Sequence, residues 1–486
     1  MTSDRRRFAA LIVLCTGMLM IVLDITIVNV ALPAIRDDLG FSEASLAWVV
    51  NAYMIAFGGL LLLAGRIGDL LGRRRVFVSG LGVFTAASLA CGLAQNEAWL
   101  VAARFVQGVG GALTSAVILG MIVTMFPEPR EQARAIGAYA FVASAGGAVG
   151  LLAGGSLTQA ISWHWIFFVN IPIGIATAVC ALRLLDGERG IGWGGGTDVL
   201  GALTVTASLM LGVYTIVGQA AVHGWTAPTT LWLGAASVAL LALFVVRELV
   251  AANPLVPMSI FSSRNVVGAN LIQIAGGAGM FGTFFLGSLY LKGVLDYSAM
   301  EIGLAFLPTT ICMATMSIRF TEPLVSRYGA RPVMIAGLVL IAAGLAEFAF
   351  APVHANYWVH VFPVVTLLGV GAGLTFPALM TLAMSGARPE EAGLASGLVN
   401  TTGQVGCALG LAVLAALSTA RTSSLAGDGE SVKASLTGGY HLAFWVAAAV
   451  VVVAVVIART VLQPAGAPDP RNDDVQTEEQ PVLECV

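Results

Sequence analysis

Residues 65–75 read Gly65-Arg66-Ile67-Gly68-Asp69-Leu70-Leu71-Gly72-Arg73-Arg74-Arg75, a short charged segment punctuated by glycines. Long apolar runs lie on both sides of it, at 48–64 and 76–94. A connection this short makes two helices antiparallel neighbours, and clustered arginines between apolar spans are typical of cytoplasmic loops. The segment therefore predicts two membrane-spanning helices and the side of the membrane on which their connection lies.

The composition predicts a membrane protein rather than a soluble enzyme. Of the 486 residues, 58% are hydrophobic and 10% are charged, whereas soluble domains carry about 25% charged residues. The net charge of −3 gives no basis for nucleic-acid binding. Neither lysine, Lys292 or Lys433, follows a glycine, which excludes a nucleotide-binding P-loop. No cysteine or histidine spacing is typical of a metal site, and we expect no enzyme activity, no cofactor and no metal.

About fourteen apolar runs are long enough to cross a bilayer as helices of about 20 residues. They cover residues 8–32, 45–64, 76–94, 99–126, 135–157, 163–185, 199–218, 229–249, 266–291, 299–320, 332–351, 358–384, 392–417 and 440–462. The first run is too long for the apolar part of a cleaved signal peptide, so we interpret it as a retained helix. The sequence thus predicts an all-α polytopic membrane protein with fourteen transmembrane helices.

Arginine is distributed unevenly between the loops. With the N-terminus inside, the cytoplasmic loops hold about four times as many basic residues as the outer loops, which contain Arg36, Lys292, Arg421 and Lys433. The positive-inside rule converts this bias into an orientation, and an even number of helices returns the C-terminus to the cytoplasm. We expect a multi-pass protein of the cytoplasmic membrane, with both termini cytoplasmic.

A weak internal repeat relates two parts of the chain. Residues 322–331, with Ser326 in place of Asp69 and Arg331 in place of Arg74, echo the 65–75 segment. Two related six-helix halves are typical of secondary transporters. We predict an N-terminal half at 1–190, two inserted helices at 191–255, a C-terminal half at 256–462 and a disordered polar tail at 463–486.

Ionisable residues inside membrane spans are costly, and each is a candidate for function. Asp24 and Arg104 lie within the first and fourth runs at similar predicted depths, and Glu347 lies near the outer end of the eleventh. A desolvated carboxyl group can exchange a proton, whereas an arginine can only bias a neighbouring group. Two alternatives remain open: a static Asp24–Arg104 ion pair that holds two helices together, and a Glu347 side chain that reaches the membrane interface.

Uncharged polar residues inside the spans must face polar partners or a wet cavity. We consider seven of them as substrate-cavity candidates, with interhelical hydrogen bonds as the alternative: Asn51, Tyr53, Gln107, Asn270, Gln273, Asn400 and Gln404. The fifth run places Gly146, Gly150 and Gly154 at fourfold spacing, with Gly155 beside them. Small residues at this spacing predict close helix packing, which we expect against the other half of the molecule.

Several motifs resemble those of one transporter family. Gly65, Asp69, Gly72, Arg73 and Arg74 are similar to the loop signature of the major facilitator superfamily. The stretch 23–33, Leu-Asp-Ile-Thr-Ile-Val-Asn-Val-Ala-Leu-Pro, resembles the first-helix signature of the 14-helix drug:proton antiporters. Arg104, Gln107 and Gly108 match the family's fourth-helix motif, and the glycines of the fifth run match its antiporter motif, with Leu151 at the usual proline position. The 162–174 stretch is also similar to this family.

The resemblance implies the major facilitator fold, with two six-helix halves plus two inserted helices, and proton-driven export of hydrophobic or cationic drugs, antibiotics or a secondary metabolite. It further implies that Asp24 and Arg104 couple proton flux to transport, and that Asp69 and Arg73 form a cytoplasmic gate. Our hypothesis for coupling is that substrate competes with protons for Asp24. The expected partners are the lipid bilayer, a small-molecule substrate and protons, and we expect a monomer. The alternatives are a proton-coupled uptake symporter and a membrane sensor without transport.

Overall fold

The computed structural model describes residues 3–126, 128–185, 187, 190, 198–220, 223–251, 254–256, 258–385 and 392–463. Within these ranges the chain forms fourteen long helices and no strand. They are α1 Ser3–Leu39, α2 Glu43–Leu71, α3 Arg73–Gly92, α4 Glu97–Met125, α5 Pro129–Ala160, α6 Asn170–Leu184, α7 Val199–Tyr214, α8 Pro228–Val250, α9 Arg264–Gly293, α10 Ala299–Thr315, α11 Ala330–Phe348, α12 Phe362–Ser385, α13 Ala392–Gly427 and α14 Val432–Thr460.

Short helical segments extend several of these helices. Trp165–Phe168 precedes α6, the π-helical turn Thr215–Ala220 follows α7, and the π-helical turn Tyr357–Val361 precedes α12. The helix α10 continues through Met316–Phe320 and Thr321–Tyr328. Among the described segments, twelve are long and apolar enough to cross a membrane. The other two long helices are α5, with 32 residues, and α7, a shorter apolar helix. The prediction of an all-α membrane fold is confirmed.

Polar side chains set the starts of several helices where the chain re-enters the bundle. Ser42, Asn96, Ser298 and Ser431 each accept a hydrogen bond from a backbone N–H of the first turn that follows. Such caps satisfy donors that have no partner inside the helix. These helix starts share one end of the bundle. We call this end the Gly40 face, after the glycine in the turn between α1 and α2. The opposite end, which contains Gly72 in the turn between α2 and α3, is called the Gly72 face.

The same helix pairings occur twice in the bundle. In the first six helices, α1 packs on α5 and α6, α3 packs on α4 and α6, and α2 packs on α4. In the last six, α9 packs on α13 and α14, α11 on α12 and α14, and α10 on α12. The two sets meet where α5 contacts α10 and α2 contacts α13, while α7 packs on α8, α2 and α13. The domain boundaries themselves stay a prediction, and residues 464–486 of the predicted tail lie outside the described ranges.

The two glycine turns of the predicted repeat are built alike. Gly72 and Gly329 have φ of 96° and 86°, in a region that favours glycine because a side chain would be strained there. Just after them, Arg74 donates to the carbonyl of Leu182, and Arg331 donates to the carbonyl of Ala458 at 3.0 Å. Each arginine thus satisfies a carbonyl at the end of a neighbouring helix, where helix carbonyls lack partners.

Candidate functional site

Asp24 and Arg104 form a fully buried ion pair between α1 and α4. Arg104 Nη1 lies 2.5 Å from Asp24 Oδ2, and the side chains are 1% exposed for Arg104 and 0% for Asp24. The other carboxylate oxygen, Oδ1, accepts hydrogen bonds from Gln107 Nε2 at 2.7 Å and Asn170 Nδ2 at 3.1 Å. Asp24 is therefore held by three donors from two helices besides its own.

The guanidinium of Arg104 is also held on several sides. Its Nε donates to the backbone carbonyl of Val49 at 2.9 Å, and its Nη1 donates to Gln107 Oε1 at 2.7 Å. The ring of Tyr53 lies 4.4 Å from the guanidinium carbon, at a distance typical of a cation–π contact. A buried ion pair is tolerated only when further hydrogen bonds satisfy both charges, and this one meets that requirement.

The network reaches further into the first six helices. Ser88 Oγ on α3 accepts from Gln107 Nε2 at 2.8 Å, and Cys91 Sγ lies 3.6 Å from Gln107 Oε1. Asn170 and Ser88 were not predicted as site residues. The signals for Asn170 were an amide inside an apolar run and its place in the 162–174 stretch, whereas a small hydroxyl such as that of Ser88 gives no signal in sequence.

A central cavity of about 270 Å³ lies between the two sets of six helices. Side chains from α1, α5, α9, α10, α12 and α13 line it: Val22, Thr26, Asn29, Gly147, Leu151, Gln273, Gly277, Met280, Phe281, Phe284, Thr309, Thr310, Met313, Phe376, Asn400, Gly403, Gln404 and Cys407. Among these lining residues there is no acidic or basic side chain. The surface is apolar and aromatic with a few uncharged polar groups, as is usual for small-molecule sites.

Three of the seven predicted cavity residues, Gln273, Asn400 and Gln404, line this cavity. The structure places the other four elsewhere. Tyr53 and Gln107 belong to the ion-pair network, and Asn270 donates to the Val266 carbonyl and accepts from Thr402. Asn51 is fully buried and has no hydrogen-bond partner among the described groups. These four were predicted from polarity alone, which does not indicate the direction in which a residue faces.

Asp24 does not line the cavity, although Val22 and Thr26 of the same helix do. Two residues correspond to a rotation of about 200° around a helix, so Asp24 lies on the opposite side of α1. Direct competition between substrate and protons at Asp24 is therefore not supported by this arrangement.

The glycine-rich stripe of α5 packs against α1, within the first six helices, and not against the other half as expected. A Cβ on Gly146 would meet Leu19 and Val22, one on Gly150 would meet Thr26, and one on Gly154 would lie 2.8 Å from the Ile27 carbonyl oxygen. Fourfold spacing keeps these three glycines on one helix face, and that face is turned toward α1.

The neighbouring face of α5 makes the contact with the other half. A Cβ on Gly155 would lie 2.8 Å from the Cα of Met300, and one on Gly303 would lie 2.5 Å from the Leu151 carbonyl oxygen. The backbones of α5 and α10 therefore touch near the Gly40 face. Of the predicted antiporter glycines, only Gly155 is at this seam.

The predicted gate residues hold the Gly72 face of the first six helices together. Arg73 Nη1 donates to the Gly120 carbonyl on α4 at 3.0 Å, and Arg74 reaches α6. A Cβ built on Gly65 would lie 4.0 Å from the Cβ of Ala116 on α4. The side chain of Asp69 lies outside the described residues, so its latch role stays a prediction. Glu347 is half-buried near the end of α11, a helix that packs on α12 and α14.

A helical bundle built from two similarly paired sets of six helices, with a cavity between them and a buried ion pair beside it, defines a secondary membrane transporter. The chain belongs to the Major Facilitator Superfamily, whose family model matches residues 14–411.

Similar proteins agree with this assignment. The chain is 38% identical to the puromycin resistance protein pur8 of Streptomyces alboniger, over 94% of this chain and 91% of that protein. It is 40% identical to the cephamycin export protein CmcT of Amycolatopsis lactamdurans, over 85% of each. Among solved structures, a bacterial homolog of the human lysosomal transporter Spinster, inward-facing and unoccupied, matches with a TM-score of 0.66, 16% identity, and coverage of 96% and 99%. This last similarity shows the fold alone.

Proposed function

We propose that this protein is a proton-coupled exporter of hydrophobic, drug-like molecules such as antibiotics. The observation that carries the proposal is the apolar, aromatic cavity between the two sets of helices, with the Asp24–Arg104 pair on the far side of a helix that lines it. The similarity to a puromycin resistance protein and a cephamycin export protein supports export as the direction. The proposal includes a monomer in the cytoplasmic membrane with both termini cytoplasmic.

The cavity favours uncharged substrates over cations. Moving a charged group out of water is costly unless an opposite charge receives it, and no lining residue is acidic. Phe281, Phe284 and Phe376 supply apolar aromatic surface, and Gln273 and Gln404 supply hydrogen-bonding groups. We therefore expect uncharged aromatic compounds with a few hydrogen-bonding groups to be the best substrates.

Coupling through Asp24 requires movement of α1. In the described arrangement the carboxylate is 0% exposed and is held by donors of Arg104, Gln107 and Asn170. A proton reaches Asp24 only when α1 shifts relative to α4 and α6 and the carboxylate separates from these three donors. Because Val22 and Thr26 line the cavity, a bound substrate acts on the same helix from its other side. Substrate and proton are thus linked through the position of α1.

Transport in proteoliposomes tests the proposal. Purified protein is reconstituted, a pH gradient is imposed, and the flux of puromycin and of an uncharged aromatic dye is measured in both directions. We expect the compounds to move against the proton flux and the movement to stop when an ionophore collapses the gradient. Movement in the same direction as protons would instead identify an uptake symporter. Absence of movement with compounds that bind the protein would favour a sensor.

A further inference from the structure

Two buried carboxyl groups lie on the inserted helices, away from Asp24. Asp198 precedes the first residue of α7, and Glu248 lies in the last turn of α8, both at the Gly72 face. Their side chains are 2% and 3% exposed. Acidic residues are almost never this buried unless a partner compensates their charge. Neither residue belongs to the central cavity or to the ion-pair network described above.

The two carboxyl groups leave one oxygen without a hydrogen bond of normal geometry. Asp198 Oδ1 accepts from the backbone N–H of Gly201 at 2.8 Å, and both Asp198 oxygens accept from Arg247 Nε, at 3.2 and 3.1 Å. Glu248 Oε2 accepts from the backbone N–H of Val256 at 2.9 Å. Glu248 Oε1 is buried and makes no hydrogen bond of normal distance and angle with the described groups, although the backbone N–H of Leu255 also faces this carboxyl group.

The free oxygen of Glu248 points to the same place as Asp198. Gly201 has no side chain, and a Cβ built on it would lie 2.8 Å from Asp198 Oδ2 and 2.8 Å from Glu248 Oε1. The two oxygens therefore converge on the space that the glycine leaves open. A side chain at position 201 would clash with both, so the local sequence permits this close approach.

Among the described residues, one basic side chain is seen bonded to the two carboxyl groups. Arg247 contacts Asp198, and its side chain is 44% exposed. On α2, which packs against α7, Arg66 lies toward the same face and has interactions of its own. The described part of the 251–256 connection carries no charged side chain. Two neighbouring buried carboxylates repel each other, and one shared proton removes the repulsion.

We propose that Asp198 and Glu248 bind one proton between Asp198 Oδ2 and Glu248 Oε1, as a second proton site separate from Asp24. The protonated Glu248 donates from Oε1 to Asp198, which gives the otherwise unpaired oxygen a partner. Oε2 of the same carboxyl group accepts the Val256 N–H. By removing the repulsion that would displace the Glu248 side chain, the shared proton keeps this contact to the connection between α8 and α9 in place. Loss of the proton places two like charges side by side and weakens that connection.

Infrared spectroscopy of the purified protein in lipid tests this site without any transport assay, so its outcome is independent of the proposed function. A protonated carboxyl group has a C=O stretch separate from that of a carboxylate. A free glutamate side chain ionises near pH 4.3, so a protonated band at neutral pH identifies a retained proton. We expect the band in the unmodified protein, its loss in Glu248→Gln, and its retention in Asp428→Asn, a control at an exposed acidic residue.

A second measurement follows the Val256 amide. Glu248→Gln keeps an acceptor for that amide and a donor toward Asp198, so it imitates the protonated state and is expected to fold. Hydrogen exchange of the segment containing Val256 should accelerate more in the unmodified protein than in Glu248→Gln as the pH is raised to mildly alkaline values. Infrared spectra of the two proteins that coincide at neutral pH would overturn the proposal.

Discussion

At the scale of single residues, the main feature is a charge network sealed inside one half of the transporter. Asp24 and Arg104 satisfy each other, and Gln107, Asn170 and the Val49 carbonyl satisfy the rest. Breaking a buried ion pair on one side typically costs about 3–5 kcal/mol, because the remaining charge is left without a partner. The network is thus a structural support as well as a candidate proton site, and variants must separate the two roles.

Asp24→Asn is expected to abolish accumulation driven by a pH gradient while substrate binding persists. The amide cannot exchange a proton, but its oxygen still accepts a hydrogen bond, and Arg104 keeps its bonds to Val49 and Gln107. Flux in proteoliposomes with and without the gradient, together with substrate binding, measures both effects. Retained accumulation against a substrate gradient would place the coupling site elsewhere, with Glu347 the next candidate.

Arg104→Lys is expected to retain more transport than Arg104→Ala, by about tenfold if one charged hydrogen bond of about 1.4 kcal/mol is preserved. Lysine keeps the charge beside Asp24 but loses the planar fork that also reaches Val49. For both variants, abundance and unfolding temperature are measured together with transport, so that a loss of stability is not mistaken for a loss of transport. Equal transport by the two at equal abundance would show that the charge at this position is unimportant.

Asn400→Asp is expected to shift substrate preference from uncharged toward cationic compounds. Asn400 lines the central cavity, whose described lining residues include no acidic side chain, and a carboxylate there gives a cation the partner that it lacks. The ratio of uptake for a neutral and a cationic dye of similar size, in inverted vesicles, measures the shift. Gln219→Glu, outside the lining, is the matched control. An unchanged ratio would indicate that the cavity does not select by charge.

At the scale of helices, α5 separates two kinds of contact on neighbouring faces. One face packs against α1 through Gly146, Gly150 and Gly154. The neighbouring face packs against α10 of the other half through Gly155 and the backbone near Leu151. Close backbone approach through small residues is how membrane helices gain packing energy. Helix α5 thus contacts both α1, which carries Asp24, and α10 of the other set. A movement of α1 along the glycine stripe and a movement between α5 and α10 would both involve α5.

Gly155→Ala is expected to slow transport at near-normal abundance. Its Cβ would lie 2.8 Å from Met300 Cα, a backbone atom that cannot turn aside, so the two halves must separate slightly. Overpacking of this kind costs about 1–3 kcal/mol, which corresponds to a change of about 5-fold to about 140-fold in the population of this arrangement. Gly276→Ala is the matched control, because nothing lies within 4 Å of its Cβ position. A normal rate for Gly155→Ala would show that the seam does not limit the cycle.

At the scale of the whole molecule, the repeated helix pairings and the two glycine turns describe one arrangement used twice. In each copy an arginine after the turn holds the end of the last helix of that copy, Leu182 for Arg74 and Ala458 for Arg331. The helices α7 and α8, which we predicted to be an insertion, pack on each other, and α7 also packs against α2 and α13. Each set of six helices has hydrogen bonds within the set at the Gly72 face. Each set can therefore move as a unit.

The orientation predicts that the Gly72 face is cytoplasmic. Cysteines placed at exposed positions, Gly427→Cys on the Gly40 face and Ser326→Cys on the Gly72 face, can be labelled with an impermeant maleimide in a background that carries Cys180→Ser and Cys485→Ser. The background without either new cysteine is the control. We expect labelling of intact cells at 427, and at 326 only after permeabilisation, because the arginine-rich loops are retained inside. The reverse pattern would invert the topology and, with it, the proposed direction of export.

The sequence by itself determined the apolar helices, the repeat of the glycine-containing loops, and two ionisable residues, Asp24 and Arg104, at similar depths; whether the two form a pair was left open. Span length and hydrophobicity are set by the bilayer, and a buried charge in an apolar run requires an opposite charge at its own depth. Only the tertiary structure decided that Ser88 and Asn170 join this network, that Asn51 and Asn270 do not line the cavity, and that the α5 stripe meets α1. The physical reason is that a membrane helix is apolar on nearly every side. Its sequence therefore carries no amphipathic signal to indicate which neighbour each face contacts.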